Sequence, residues 1–358
     1  MEFYPELMRF ENGERVVTAA DMDRRRKELI EILCREAYGD PIPPVPVTGR
    51  TVDTDTHCAG MRAVIEDIRV SCRMGDAVTF TFPLRFYRPA NGERRPVILA
   101  LNFRRRPYDE YLQPEAALDA GFSLAVVCYK DLSSDDGDFT DKLAAFFPRR
   151  GEGRDAGKIT VWAWGASRAL DYLISRPDVD AASVGVIGHS RLGKTALWAA
   201  ALDERFAFCG SSGSGSMGAM YARTRHEGGE SVDDICRQFP YWFCGNLHRY
   251  RADPAAMPFD QHFLIAAVAP RGVSVQSAAV DYWADPPSEQ LCCLAASPAW
   301  GAYGKRGFVG DEAPCETGSG FREGEVVYHK RDGRHFLACS DWMRFLDFAK
   351  RFASQIRD

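Results

Sequence analysis

The sequence predicts an α/β fold: a mostly parallel central sheet with helices on both faces, a three-layer αβα sandwich. Short continuous apolar runs at residues 97–101, 124–129 and 184–187 are bounded by turn residues, as strands buried on both faces require. Between the last two runs, Trp162, Ala166, Leu170, Leu173 and Ile174 fall at helical spacing and Pro177 follows, which suits a crossover helix over 159–175. Further runs at 206–209, 273–275 and 326–328 alternate with helical segments, the last at 342–352.

Before these elements, Met22, Leu29, Ile30, Ile32 and Leu33 give residues 21–37 the pattern of an amphipathic helix, followed by a Pro-rich joint at 41–46. In residues 78–86 the apolar side chains Val78, Phe80, Phe82, Leu84 and Phe86 occupy every second position, the period of a strand with one buried face. The sheet is expected to begin there. Residues 1–90 read as a helical and strand extension packed on the core, and 91–358 as the main α/β domain, the two making one structural unit. The Gly/Ser stretch 210–218 follows a strand and precedes more sheet, so it reads as a loop at the carboxyl edge, where α/β proteins bind ligands.

Composition narrows the function. The chain has 358 residues, 46% apolar, with 45 Lys+Arg against 50 Asp+Glu and a net charge of −5. That is ample material for a large core, which excludes a disordered or fibrous chain. No basic stripe is present, so a nucleic-acid partner is not expected. Glu2, Glu6, Glu11 and Glu14 stand where a secretory signal would need a basic start and an apolar run. No apolar stretch approaches the ~20 residues that span a bilayer, so no membrane association is expected either. Eleven cysteines without a C-x-x-C pair read as reduced core thiols, and the expected compartment is cytoplasmic.

One segment carries two chemistries. Residues 188–195, Gly-His-Ser-Arg-Leu-Gly-Lys-Thr, run from a buried strand into a helix expected at 195–201. They fit G-x-x-x-x-G-K-[ST], a phosphate-binding loop in which Lys194 and backbone amides would hold phosphates and Thr195 magnesium. They also put Ser190 at a sharp strand-to-helix turn, the nucleophile elbow of the α/β-hydrolase fold, although the glycine of G-x-S-x-G arrives one place late, at Gly193. Against the phosphate loop, several strands precede it and no apolar strand ends in a clear magnesium-binding Asp.

A serine nucleophile needs a base and an acid, in the chain order Ser, Asp/Glu, His for this fold. Asp281 lies just past the strand at 273–277, with Asp285 as a close rival, and His335 lies on a turn after the strand at 326–328. Position favours His335 over His329, which sits at the end of that strand. No metal-ligand cluster is evident, and hydrolysis by this route needs no cofactor.

The surroundings of these three residues resemble the glucuronoyl esterases, carbohydrate esterase family 15, and its bacterial members in particular. The matching segments are 188–194, 203–207, 229–231, 239–244, 260–262, 281–286 and 335–342, which together span the chain from about residue 162 onward. The resemblance explains the unusual elbow, because that family has Ser-Arg-x-Gly-Lys at this place. It implies Ser190 as nucleophile, His335 as base and acid, and Arg191 as oxyanion donor through its backbone N–H and guanidinium. It further implies that Lys194, Glu230 and Trp283 hold the hydroxyls and ring of a glucuronic acid. Some members carry the triad acid at the position of residues 212–214, Ser-Gly-Ser here, so Asp281 is expected to supply it instead.

The expected activity is therefore serine-dependent hydrolysis of a small carbohydrate ester, first of all an ester of (4-O-methyl-)glucuronic acid. An acetylxylan-type deacetylase, a nucleotide-binding protein built on residues 188–195, and a non-catalytic sugar-binding homologue are the alternatives.

Overall fold

A computed structural model describes residues 4–105, 109–151 and 153–353. Among these residues, ten strands form one sheet: β1 (Val47–Cys58), β2 (Ala63–Arg73), β3 (Thr79–Pro89), β4 (Arg95–Asn102), β5 (Ser123–Cys128), β6 (Val179–His189), β7 (Phe208–Ser212), β8 (Gly272–Ala278), β9 (Gly320–Phe321) and β10 (Val326–Arg331). They lie in the order β1-β2-β3-β5-β4-β6-β7-β8-β10-β9. The block from β5 to β10 is parallel throughout, while β1, β2, β3 and β9 pair antiparallel at the two sides.

The helices are α1 (Ala19–Leu33), α2 (Pro114–Asp119), α3 (Tyr129–Leu132), α4 (Lys158–Ile174), α5 (Arg191–Leu202), α6 (Val232–Gln238), α7 (His262–Ala266), α8 (Pro286–Ala296), α9 (Pro298–Gly301) and α10 (Cys339–Ala349). Alternation along the central strands sorts them into two layers. Val97, Leu99, Val184 and Val186 pack with side chains of α1, α4, α5, α7 and α8. Ile98, Ala100, Leu124 and Ile187 point the other way, toward α2 and Trp342, Phe345 and Leu346 of α10. This is the three-layer α/β-hydrolase architecture. None of the helices among the described residues is long and apolar enough to cross a membrane.

The sheet begins earlier than the apolar pattern indicates, at Val47 rather than near residue 78. β1 is exposed along nearly its whole length and carries Arg50, Asp53, Asp55 and His57, so no hydrophobic period marks it. Its charges suit an edge strand, where they discourage pairing with another chain. β2 does alternate, but one of its buried positions is Glu66, which hides the period from a hydropathy count. Glu66 is held by Arg88 at 2.7 Å and Arg176 at 2.9 Å. Residues 47–89 are thus continuous with the central sheet through eleven paired positions between β2 and β3 and the junction of β3 with β5.

Helix starts also differ from the apolar pattern for local reasons. α1 begins at Ala19 because Thr18 and Asp21 form a reciprocal capping box. It ends at Leu33 in a π-helical turn, Cys34–Tyr38, closed by Gly39. Arg26 of α1 donates to Ala201 O at 2.7 Å and Ala267 O at 2.8 Å, which ties this helix to the C-terminal ends of α5 and α7. α5 starts at Arg191, four residues before the stretch of apolar helix formers, since the chain turns directly from β6 into it. The last helix runs from Cys339 and passes into a 3-10 turn, Lys350–Phe352.

Removal of the carboxylate of Glu66 leaves two half-buried guanidiniums without it, and breaking a pair of this kind costs about 3 kcal/mol. Glu66→Ala is expected to lower the urea midpoint by that equivalent, with an unchanged slope, in equilibrium denaturation followed by circular dichroism.

Candidate active site

The parallel strands bring four loops to one rim. Ser190 follows β6, the stretch from Gly213 follows β7, Asp281 lies three residues past β8, and His335 lies four past β10. Ser190 has φ 59° and ψ −128°, a conformation that L-residues avoid and that costs on the order of 1–3 kcal/mol. It is the elbow geometry: the turn lifts the hydroxyl off the sheet between the last residue of β6 and the first of α5. The Ser190 N–H donates to Ser212 O at 2.8 Å, and Ser190 O accepts from Gly193 N and Lys194 N at 2.8 and 3.1 Å. The late glycine has a steric reason. A Cβ on Gly188 would sit 2.1 Å from Leu192 O, and one on Gly193 would sit 3.0 Å from Ser211 Oγ, so the turn closes on both residues.

His335 Nδ1 lies 2.6 Å from Asp281 Oδ2. The Asp281 side chain is 3% exposed and that of His335 is 41% exposed, so the carboxylate is buried behind an accessible imidazole. Gly213 forms the floor beneath the pair, where a Cβ would stand 3.1 Å from Asp281 Oδ2 and 3.3 Å from His335 Nδ1. The ring of His189, the residue before Ser190, is 4.4 Å from the ring of His335. Burial, reinforced by the neighbouring His335, pushes the His189 imidazole well below its ordinary range, so it is neutral at physiological pH.

The rivals have other duties. Asp285 takes the His226 N–H at 2.7 Å and His226 Nδ1 at 2.8 Å, and it caps α8 through Ser288 N at 3.3 Å. His329 is buried within β10 with Nε2 2.9 Å from Asp341 Oδ1. Asp341 also anchors Arg331 at 2.7 Å, and Arg331 in turn donates to Arg334 O at 2.9 Å and to Phe336 O, which fixes the turn that carries His335.

Lys194 and Glu230 come together, 2.8 Å apart, with their side chains 3% and 4% exposed. The Lys194 ammonium also donates to Ser214 O at 2.5 Å and Ser216 O at 2.6 Å. All three of its protons are therefore committed inward, which leaves this ammonium no donor for a phosphate, and Thr195 Oγ1 donates to Arg191 O at 2.9 Å. Trp283 is half-exposed at the lip, and its carbonyl accepts the Glu230 N–H at 2.9 Å. Arg191 opens α5, so its N–H is one of the helix's first donors without an intrahelical partner. Its guanidinium pairs with Asp135.

Two carboxylates escape a reading of the sequence. Asp135 sits in an acidic loop that looks solvated, and Glu289 looks like an ordinary helical charge in α8. Glu289 is fully buried, accepting the Ser214 and Gly215 N–H groups at 2.9 and 3.1 Å and the Ser277 hydroxyl at 2.5 Å. The loop after β7 is thus clamped from both sides, its amides by Glu289 and its carbonyls by Lys194.

Burial is the main reason that the Glu289 carboxyl is pushed up from an ordinary 4.5 to about 8. The folded protein then holds this proton more tightly than the unfolded chain between those two values, so the group's contribution to stability falls as pH rises across that window. Glu289→Gln removes the titration. Urea midpoints measured from about pH 5 to about pH 8 should show the variant gaining on the wild type as pH rises.

The chain is similar to several known proteins. The family model described as "Glucuronyl esterase, fungi" matches residues 71–304. A carbohydrate esterase, MZ0003, from an unknown prokaryotic organism is 37% identical over 244 residues, covering 66% of this chain and 55% of its own length. A 4-O-methyl-glucuronoyl methylesterase of Schizophyllum commune is 30% identical over 332 residues, covering 87% of this chain and 78% of its own. The chain therefore spans about half the length of the first of these relatives. Among solved structures, a glucuronoyl esterase from Solibacter usitatus superimposes with a TM-score of 0.89 at 33% identity, over 98% of both chains. On the matched family model, the relatives of similar sequence and the shared α/β-hydrolase architecture, the chain belongs to the glucuronyl esterase family.

Proposed function

We propose that this protein is a serine carboxylesterase that hydrolyses an ester of glucuronic acid or its 4-O-methyl ether in a small carbohydrate. The observation that carries the reading is the strained Ser190 elbow beside the His335–Asp281 pair, in a chain whose relatives include 4-O-methyl-glucuronoyl methylesterases. Ser190 Oγ attacks the ester carbonyl while His335 accepts its proton. Asp281 holds the Nδ1 proton, which leaves Nε2 as the basic nitrogen and stabilises the imidazolium as it forms. The tetrahedral oxyanion lies within reach of the Arg191 N–H at the start of α5, and one such donor contributes about 3 kcal/mol to the transition state. Collapse expels the alcohol with the proton from His335, and water then cleaves the Ser190 ester by the same steps in reverse order.

Trp283 supports the sugar assignment, since a half-exposed indole offers an apolar face to a pyranose ring. Lys194, its donors already engaged, is read as holding Glu230 in place beneath the lip, where the second carboxylate oxygen of Glu230 meets a sugar hydroxyl. Eleven free cysteines, nine of them buried, support action in a reducing compartment such as the cytoplasm, on a sugar ester that has been imported.

Ser190→Ala is expected to abolish hydrolysis of methyl 4-O-methylglucuronate and labelling by a fluorophosphonate. Asp281→Asn should keep the fold and lower kcat about 10³- to 10⁴-fold, whereas Asp285→Asn should lower stability and leave kcat within about threefold. A panel with acetylated xylooligosaccharides decides the acyl class. Turnover of acetyl esters without turnover of the uronate ester would overturn the proposal.

A further inference from the structure

The Arg191 side chain stands at the rim, 24% exposed, on a residue whose neighbour is the nucleophile. A free arginine there would lose much rotamer freedom on being fixed, so a partner that holds it beforehand removes that cost from the reaction. Asp135, only 8% exposed in its side chain, does so from the loop that follows α3. Its Oδ2 takes the Arg191 Nη1–H and the Tyr129 hydroxyl at 2.8 Å, and its Oδ1 takes the Trp242 indole N–H at 2.9 Å.

The same indole lies against the guanidinium, 4.7 Å from its ring, and Phe239 stacks on that indole at 3.8 Å with the rings 3° from parallel. Carboxylate, indole and guanidinium therefore close a triangle in which each member touches the other two. The loop's own backbone is fixed as well, because the Tyr241 hydroxyl donates to Asp135 O at 2.9 Å.

This arrangement leaves the guanidinium unfinished. Arg191 Nε is buried without a hydrogen-bond partner, and among the described residues only the Nη1 edge is bonded. The Nη2 group also has no hydrogen bond among the described residues and is not among the buried atoms, so it is the donor open to an incoming oxygen. Three donors share the Asp135 charge, so the carboxylate fixes the guanidinium without cancelling its whole field.

We propose that Asp135 is a positioning residue of the esterase reaction, holding the Arg191 guanidinium so that its remaining donors meet the oxygen that becomes negative when Ser190 attacks. The inference rests on the nucleophilic role given above to Ser190 but not on the identity of the acyl group.

The test is a double-mutant cycle read in two assays: kcat and KM on methyl 4-O-methylglucuronate, and the second-order rate of Ser190 labelling by a fluorophosphonate, whose phosphoryl oxygen gains charge in the same place. Asp135→Asn should lower kcat and the labelling rate about tenfold with KM changed less than twofold, while in an Arg191→Ala background the same change should cost less than twofold. Trp242→Phe keeps a ring beneath the guanidinium but deletes the indole donor. It serves if Asp135→Asn does not fold, and should slow both reactions about threefold, again only with Arg191 present. Equal losses in both backgrounds, a loss carried by KM, or no loss overturns the proposal. Wild-type labelling without uronate ester turnover refutes the substrate reading and leaves the labelling cycle to decide this one, whereas a wild type that is not labelled refutes both.

Discussion

The left-handed backbone at Ser190 is the constraint around which the rest of the rim is built. A residue in that conformation reverts unless its neighbours forbid it, and here β6 on one side and α5 on the other are both anchored deep in the core. Ser212 O holds the turn's N–H, and the tight approach of Gly188 to Leu192 removes room for relaxation. Because β7, β8 and β10 run parallel to β6, every loop that could serve this hydroxyl emerges at the same edge.

Rigidity in that edge comes from buried polar and ionisable side chains. Glu289 and Lys194 bind opposite polarities of one short segment of backbone, and Asp341 with Arg331 does the same for the turn of His335. Such groups are expensive to bury, which is why each is fully supplied with partners. The arrangement orients side chains that themselves lie near the surface: the accessible imidazole of His335 and the half-exposed indole of Trp283 both sit on loops whose backbones are pinned from below.

Much of this was legible in the sequence where the physics is local. The apolar runs of β4, β5 and β6 announced a two-sided sheet, and the chain order of Ser190, Asp281 and His335 followed from the elbow. What stayed hidden depends on contacts across the chain. β1 is polar because it is an edge, and β2 disguises its period with Glu66, whose arginine partners lie 22 and 110 residues further on. Asp281 and Asp285 are four residues apart in similar surroundings, and only the fold shows that the second is engaged by His226. The pairing of Lys194 with Glu230, and the roles of Asp135 and Glu289, involve partners dozens of residues distant, with no periodicity to betray them.

The Lys194–Glu230 pair has a bearing on turnover. In the proposed reaction the ester is neutral and the acid it yields is an anion, so a pocket with surplus cationic charge would retain that product. Here the ammonium is already matched by a carboxylate at 2.8 Å. With the ammonium balanced beforehand, ionisation of the proposed uronate product brings little new attraction to Lys194, which favours release into water, where the charge is better solvated.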